Sequence, residues 1–375
     1  MKRIAYVVDS KMPSKEANSV HAVKMAKALS EYSEVTMFCK ELLGVPDEVL
    51  IPYGAQRSFD IIGTNNHRFN GKLKILVDGF ATSRKIKKQG SFDAIYGRSA
   101  TAIYFARHQA PFVFESHEWP TSKIMYILQK RMLSSCNCKG LVTITGELKK
   151  QYLKNYRFLK DEDITVLQDA SDAVTVCPRP KTIDNEKSSA PNVVIGYLGH
   201  LYPGKCMEII SEVAALRPNY LFHIAGGTDE MVEYWENKLK QRKINNVILY
   251  GYVNNKDVGE WYSAFDIFLL PLKNNVMVGN GKKNIGKWIS PLKLFEAMAY
   301  GKAIISSDLP TLKEVIVDEQ DALIVSADRA EEWAAAIDRL VGDPVLRKKL
   351  GDSARIKLED QYTWSRRAKE IIKLY

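Results

Sequence analysis

Long apolar runs are missing from this chain. No stretch of about 18 apolar residues occurs in its 375 residues, which excludes a membrane-spanning helix of ordinary length. The opening MKRIAYVVDS has two basic residues but no apolar core leading to a small-residue cleavage site. It reads as a first strand and not as a secretory leader. Cysteine is scarce and odd in number (Cys39, Cys136, Cys138, Cys177, Cys206), so no disulfide framework is expected and a reducing cytoplasm is the expected compartment. Cys136 and Cys138 lack a second ligand pair, which argues against zinc. No GxGxxG follows the first strand, and neither GxxxxGK[ST] nor GxSxG occurs anywhere. An NAD fingerprint, a P-loop kinase and a nucleophile elbow are therefore not expected.

What is present is an average globular composition, 46% hydrophobic and 26% charged, at a length that suits two domains. The net charge is +10, and it is uneven. Residues 1–178 hold 26 basic and 18 acidic residues, whereas 179–375 hold 28 and 26. An excess in the first half favours an anionic partner: a membrane surface, a lipid phosphate or nucleic acid. No recognition helix, aromatic RNA-binding strand or zinc finger accompanies it, so nucleic acid is not expected as a partner.

Short apolar runs alternate with helical patterns throughout. Strands are expected at 3–8, 35–38, 75–77, 93–96, 112–115, 141–144 and 164–167. A second series follows at 193–198, 221–225, 247–249, 267–270, 303–306 and 322–325. The runs are continuous and not alternating, as in parallel sheets buried on both faces. The expected fold is α/β, with two Rossmann-like doubly wound sheets facing a central cleft. The polar, proline-bracketed stretch 178–192 reads as a linker. It divides the chain into a domain at 1–178, a linker at 179–192, a domain at 193–355 and a tail helix at 356–375. In such folds ligands meet the loops that follow the strands.

Four segments of that kind stand out. In WISPLKLFEAMAYGKAIISSD (288–308), Ser290 suits an N-cap and Pro291 a first helical position. The preceding loop (273–287) is rich in Gly, Asn and Lys, and Glu296 offers a carboxylate to a vicinal diol such as that of ribose. The helix stops at Gly301. In VVIGYLGHLYPGK (193–205) a strand ends at Gly199, where a ligand can approach the backbone. His200 follows, and Lys205 can neutralise a diphosphate. In PFVFESHE (111–118) a strand runs into Glu115, His117 and Glu118, and His117 can donate to a sugar hydroxyl or a leaving oxygen. The loop from Asp9 to His21 faces the same edge and suits an acceptor through Asn18, Ser19 and His21; Asn18 or Ser19 would also cap the first helix.

Taken together these segments resemble glycosyltransferase family 4, retaining and nucleotide-sugar dependent, with the GT-B fold. GHLYPGK (199–205) is similar to its G-R-x-x-x-x-K stretch. NVILYGYVNNKDVGEWYSAFDIFLLP (246–271) resembles its V-x-F-x-G-x-V and L-x-x-x-Y-x-x-A-D stretches, and SPLKLFEAMAYGKAIISSDLPTLKEVI (290–316) its donor block. The resemblance implies a sugar transferase (hexosyltransferase class) working on a nucleoside-diphosphate sugar, UDP ahead of GDP. Its product would enter cell-surface polysaccharide, glycolipid or glycoconjugate. It implies that Glu296 binds ribose and Lys205 the diphosphate. Gly199 and the backbone of Ser290, Pro291 and Leu292 line the phosphate pocket, and His117 sits near the donor sugar. It implies a saccharide or lipid-linked acceptor, no metal and no cofactor beyond the co-substrate. The expected location is the cytoplasm, with peripheral contact at the inner face of the plasma membrane. Two positions depart from the pattern. His200 replaces the phosphate-binding arginine, and Trp288 stands where the first glutamate of Glu-x7-Glu belongs. They keep open an inactive nucleotide-sugar-binding subunit, beside a non-hydrolysing UDP-sugar epimerase of the same fold.

Overall fold

A computed structural model describes the chain except for residues 65–73, 175–182, 184–187, 191, 203–204, 206, 276, 279–282 and 285, and gives the backbone alone at 277–278 and 283–284. The chain divides into two compact units. One comprises Met1–Asp169 with Trp364–Tyr375, the other Ala170–Thr363.

The first unit holds a seven-stranded sheet: β1 (Arg3–Val7), β2 (Glu34–Cys39), β3 (Asp60–Gly63), β4 (Ala94–Gly97), β5 (Phe112–Ser116), β6 (Cys138–Thr143) and β7 (Ile164–Val166). Its order is β3-β2-β1-β4-β5-β6-β7, parallel throughout. The second unit repeats the plan with β8 (Ile195–Leu198), β9 (Phe222–Ala225), β10 (Val247–Leu249), β11 (Ile267–Leu270), β12 (Ala303–Ser307) and β13 (Leu323–Val325). Their order is β10-β9-β8-β11-β12-β13, again all parallel. Each sheet reverses its winding once, between β1 and β4 and between β8 and β11. Loops splay apart at such a point, and a crevice opens outside the carboxyl ends of the strands.

The central strands are buried on both faces. Ile4 to Val7 and Ile267 to Leu270 are at most 1% exposed, which is why their sequences are unbroken apolar runs. One expected strand is misplaced. Residues 75–77 lie inside a helix, Lys74–Lys88, and the strand is β3. The run Ile75-Leu76-Val77 is too short to show its period. Gly79 lies so close to Thr101 of the neighbouring helix that a methyl group would not fit. β3 sits at the sheet edge with two apolar residues between Asp60 and Gly63, too few to signal a strand.

The unit boundaries also fall elsewhere than 178 and 356. Ser171 bridges to Thr363, and Arg355 Nη2 donates to Val174 O at 3.1 Å, which ties residues 170–174 to the second unit. The tail is two helices, not one. Pro344–Gln361 stays with the second unit, where Gly351 packs on Gly301. Only the last helix, Trp364–Ile372, joins the first unit. Of the stretch read as a linker, residues 179–182, 184–187 and 191 lie outside the described residues. The last helix packs against the first, Ala17–Ser30. Tyr32 Oη meets Ser365 Oγ at 2.6 Å, and Ser365 Oγ donates to Glu31 Oε2 at 2.8 Å.

Candidate functional site

In the second unit the carboxyl ends of β8 and β9 meet through bare backbone. Gly199 N donates to Ala225 O at 2.9 Å, and Gly226 N to Gly251 O at 2.6 Å. Gly226 has φ +126°, and a Cβ there would run into Gly199 O. Gly199 has φ +144°, and a Cβ there would overlap the Lys293 ammonium. Glycine at both positions is thus a packing requirement as well as a conformational one.

Lys293 belongs to the helix Leu292–Ala299. Its Nζ donates to Tyr197 Oη at 2.7 Å and lies 4.1 Å from the centroid of that ring. Tyr197 Oη donates onward to His200 O at 2.9 Å. The His200 ring stacks on Tyr202 at 4.9 Å, and Lys205 Nζ lies 5.3 Å from the centroid of the same Tyr202 ring. The two tyrosines therefore join Gly199, His200, Lys205 and Lys293 into one group. It holds two ammoniums beside a half-buried strand end.

Glu296 stands three residues after Lys293, on the same helix face. Its Oε2 accepts from Tyr262 Oη at 2.8 Å. Burial, then the Glu296 charge, raises the Tyr262 hydroxyl far above its ordinary range, so it stays a donor and orients the carboxylate. The opening of this helix differs from expectation. Pro291 occupies the N-cap position with φ −83° and ψ 120°, no side chain caps the end, and Ser290 stands one residue outside. Pro291 thus gives the first turn no side-chain bond, and an anion suits such a helix start. The helix end is as expected: Gly301 (φ +61°) donates to Met298 O and Lys302 N to Ala297 O, the paired pattern of a glycine stop. Trp288 closes a short turn, Gly286–Trp288, with Lys287 Nζ 4.8 Å from its ring centroid.

A separate cavity of about 540 Å³ lies at the ends of β11, β12 and β13, lined by Lys273, Asp308, Ser326 and Glu332 among others. It shares no residue with the Gly199–Lys293 group.

In the first unit, β5 delivers Glu115 and, just past its end, His117. Glu115 is 1% exposed. Its Oε2 accepts from Tyr96 Oη and pairs with Arg367 Nη2 at 2.9 Å, while its Oε1 pairs with His117 Nε2. His21 Nε2 lies 3.3 Å from both Glu115 Oε1 and Asp169 Oδ1. The His21 ring meets His117 edge-on at 5.0 Å and Trp364 at 5.0 Å. Burial would push the Glu115 carboxyl up, but Arg367, His21 and His117 outweigh it and hold it well below the carboxylate range. Burial, then Arg98, lowers His117 to about 4, and burial holds His21 well below its ordinary value. The donor atoms of His21, Glu115 and His117 lie within 4.8 Å of one another, close enough for a metal ion. The Glu115 charge, however, is already met by the Arg367 guanidinium, so no metal is assigned.

The acceptor-side residues fare differently from one another. His21 is 2% exposed and Ser19 is fully buried, so neither offers a surface to an acceptor. Ser19 Oγ donates back to Ser14 O and Glu16 O, and the helix is capped at Glu16 without a side-chain bond, so neither Asn18 nor Ser19 is its cap. Asn18 is half-buried, and its Oδ1 has no hydrogen-bond partner among the described residues. Sequence reasoning missed Lys293, Tyr197, Tyr262 and Arg367. The i, i+3 pairing of Lys293 with Glu296 in SPLKLFE was a readable signal; Arg367 had none.

Residues 179–357 match the family model described as "Glycosyl transferases group 1". An uncharacterized glycosyltransferase of Methanocaldococcus jannaschii is 24% identical over 324 residues, 84% of this chain and 75% of that one. The sucrose-phosphate synthase of Thermosynechococcus elongatus superposes with a TM-score of 0.76 at 17% identity, covering 100% of this chain and 98% of that one. Anabaena HepE in complex with UDP-glucose superposes with a TM-score of 0.73 at 13% identity, covering 100% of both. The chain is a glycosyltransferase of GT-B architecture, with a group 1 glycosyl transferase region at residues 179–357.

Proposed function

We propose that this enzyme is a retaining hexosyltransferase of family 4, moving a sugar from a nucleoside diphosphate, UDP ahead of GDP, to an acceptor hydroxyl. The observation that carries the reading is the second-unit notch: Lys293 and Lys205 joined through Tyr197, His200 and Tyr202 at the glycine end of β8. A departing diphosphate is the largest charge in such a reaction. Two ammoniums, an imidazole and the first-turn N–H groups of Leu292 and Lys293 offset it without a metal. Glu296, aligned by Tyr262, takes the ribose hydroxyls. The bond from the sugar carbon to the diphosphate oxygen breaks, and the acceptor oxygen bonds to the same face of that carbon. The acceptor's proton passes to the leaving phosphate oxygen, so no enzymic nucleophile is required. His117, in the first unit, offers a ring nitrogen to a sugar hydroxyl. HepE in its UDP-glucose complex shares this fold, which favours UDP.

The acceptor is saccharide or lipid-linked, and the product belongs to surface polysaccharide, glycolipid or glycoconjugate. A basic surface supports a cytoplasmic enzyme working at an anionic membrane. The helices Lys74–Lys88, Ala100–Ala106 and Lys123–Leu133 pack side by side. They expose Ile75, Phe80, Ile124 and Ile127 among Arg84, Lys87, Lys88, Lys123, Lys130 and Arg131. Their one acidic residue, Asp78, is paired with Lys74 and Lys40. Such a face suits anionic headgroups. A further basic stretch, residues 148–160, is partly neutralised by Lys149–Asp161 and Lys150–Glu147 pairs.

A thermal-shift panel of UDP-, GDP-, ADP- and dTDP-sugars tests the reading, because a true donor raises Tm through linkage. No stabilisation by any of the four overturns it. An isomerised sugar formed without acceptor identifies an epimerase instead.

A further inference from the structure

The buried group in the first unit contains more than a sugar contact needs. A carboxylate accepts hydrogen bonds and cannot donate one. Glu115, kept ionised by Arg367, pairs with His117 Nε2, so that nitrogen carries the ring's hydrogen. A neutral imidazole with its hydrogen on Nε2 keeps a lone pair on Nδ1. The cation behind this arrangement comes from the far end of the chain. Arg367 lies on the last helix, 4% exposed. Its other donors are engaged by Gln168 O at 2.9 Å, Leu167 O at 3.2 Å and Tyr96 Oη at 3.2 Å, which pin the guanidinium. Trp364 of the same helix closes over His21.

We propose that Arg367 is a positioning residue for His117: by fixing Glu115 as a carboxylate it sets the Nε2–H tautomer of that ring and makes Nδ1 an acceptor for a ligand hydroxyl. The ligand's being a sugar rests on the transferase reading; the tautomer does not. The titratable and charged groups around the ring are Glu115 on its own strand, His21 from the first helix with Asp169 behind it, Arg98 after β4, and Arg367. Burial and Arg98 outweigh Glu115 and keep the ring neutral at pH 7. On this proposal His117 accepts from the ligand hydroxyl instead of donating to it.

The test uses the full chain, labelled with nitrogen-15, and reads long-range ring correlations, with His117 assigned through His117→Gln. The expected wild-type ring is neutral with its hydrogen on Nε2 from about pH 7 down to about pH 5. In Arg367→Met the ring is expected to become a mixture of tautomers and to titrate about one pH unit or more higher, at unchanged circular dichroism. Arg367→Lys restores part of the wild-type pattern. A wild-type ring with its hydrogen on Nδ1, or charged at pH 7, overturns the proposal. So does an Arg367→Met ring indistinguishable from wild type. Should Arg367→Met not fold, Glu115→Gln, equal in shape and uncharged, is expected to give the mixture, and an unchanged ring there is equally decisive against it. If no sugar nucleotide binds the wild type, the transferase reading falls while the ring assignment is still judged on its own signals.

Discussion

Gly199→Ala tests the notch with a single methyl group. The new Cβ would stand 3.0 Å from Lys293 Cε and 3.2 Å from Tyr197 Oη, and would overlap the ammonium itself. The backbone has φ +144°, which alanine adopts only with strain of about 2 kcal/mol. Lys293 must leave, and its charge-assisted bond to Tyr197 is worth ~1.5 kcal/mol. Together these come to ~3.5 kcal/mol, and for a unit of this size each kcal/mol lowers Tm by ~2–4 °C, so a loss of ~7–14 °C is expected. Nucleoside diphosphate binding should weaken at least tenfold, since one ammonium no longer faces the strand end. Gly342→Ala is the control: nothing lies within 4 Å of its Cβ, and helical alanine is tolerated. Calorimetric melts and titrations of both variants decide the matter. Should Gly199→Ala melt within ~2 °C of wild type and bind equally well, neither the strain nor the placement of Lys293 is as described.

Lys205→Ala is expected to cut turnover more than tenfold, because one charge-assisted contact to the leaving group stabilises the transition state by ~3 kcal/mol; near-normal turnover in a folded variant would remove its phosphate role. Glu296→Gln should weaken donor binding about tenfold while leaving diphosphate binding through the lysines in place, read by comparing UDP-sugar with inorganic pyrophosphate. Acid should destabilise the first unit. His117 takes a proton below about 4 when folded but below ~6.5 when unfolded, so between those values the unfolded chain binds more protons and stability falls as pH drops. That single ring accounts for ~2 kcal/mol less stability at pH 5 than at pH 7. Glu115, held low by Arg367, adds its own loss further down. Urea melts of wild type and His117→Gln should differ in slope over this window, and equal slopes would contradict the burial of the ring.

Most of the fold was legible because buried parallel strands leave an unmistakable pattern. Twelve runs fell where the sheets have strands, and β11, IFLL at 267–270, was placed to the residue. β3 was not, because an edge strand buries little and needs few apolar residues. The helix at 292 was legible from Pro291 and Gly301, but its cap was not. Ser290 is one residue too early, and the backbone of Pro291 takes the N-cap place. The second-unit site could be read because a strand end and a helix start each mark themselves locally. The first-unit site could not be read whole. Glu115 and His117 share one strand, whereas Arg367 reaches them from 250 positions away, and no local pattern links the two. His21 looked like a loop residue facing a ligand; Trp364, still further away in sequence, covers it.

His200→Arg makes one further outcome calculable in sign. A guanidinium is a permanent cation with a planar fork of donors that fits phosphate oxygens. The His200 ring stacks on Tyr202, whose ring Lys205 also approaches, so an arginine there adds a charge beside the same ammonium. Sugar-nucleotide affinity, measured at one pH, should rise several-fold in His200→Arg. An unchanged affinity in a folded variant would mean that position 200 does not face the diphosphate, leaving the two lysines and the helix start to hold it alone.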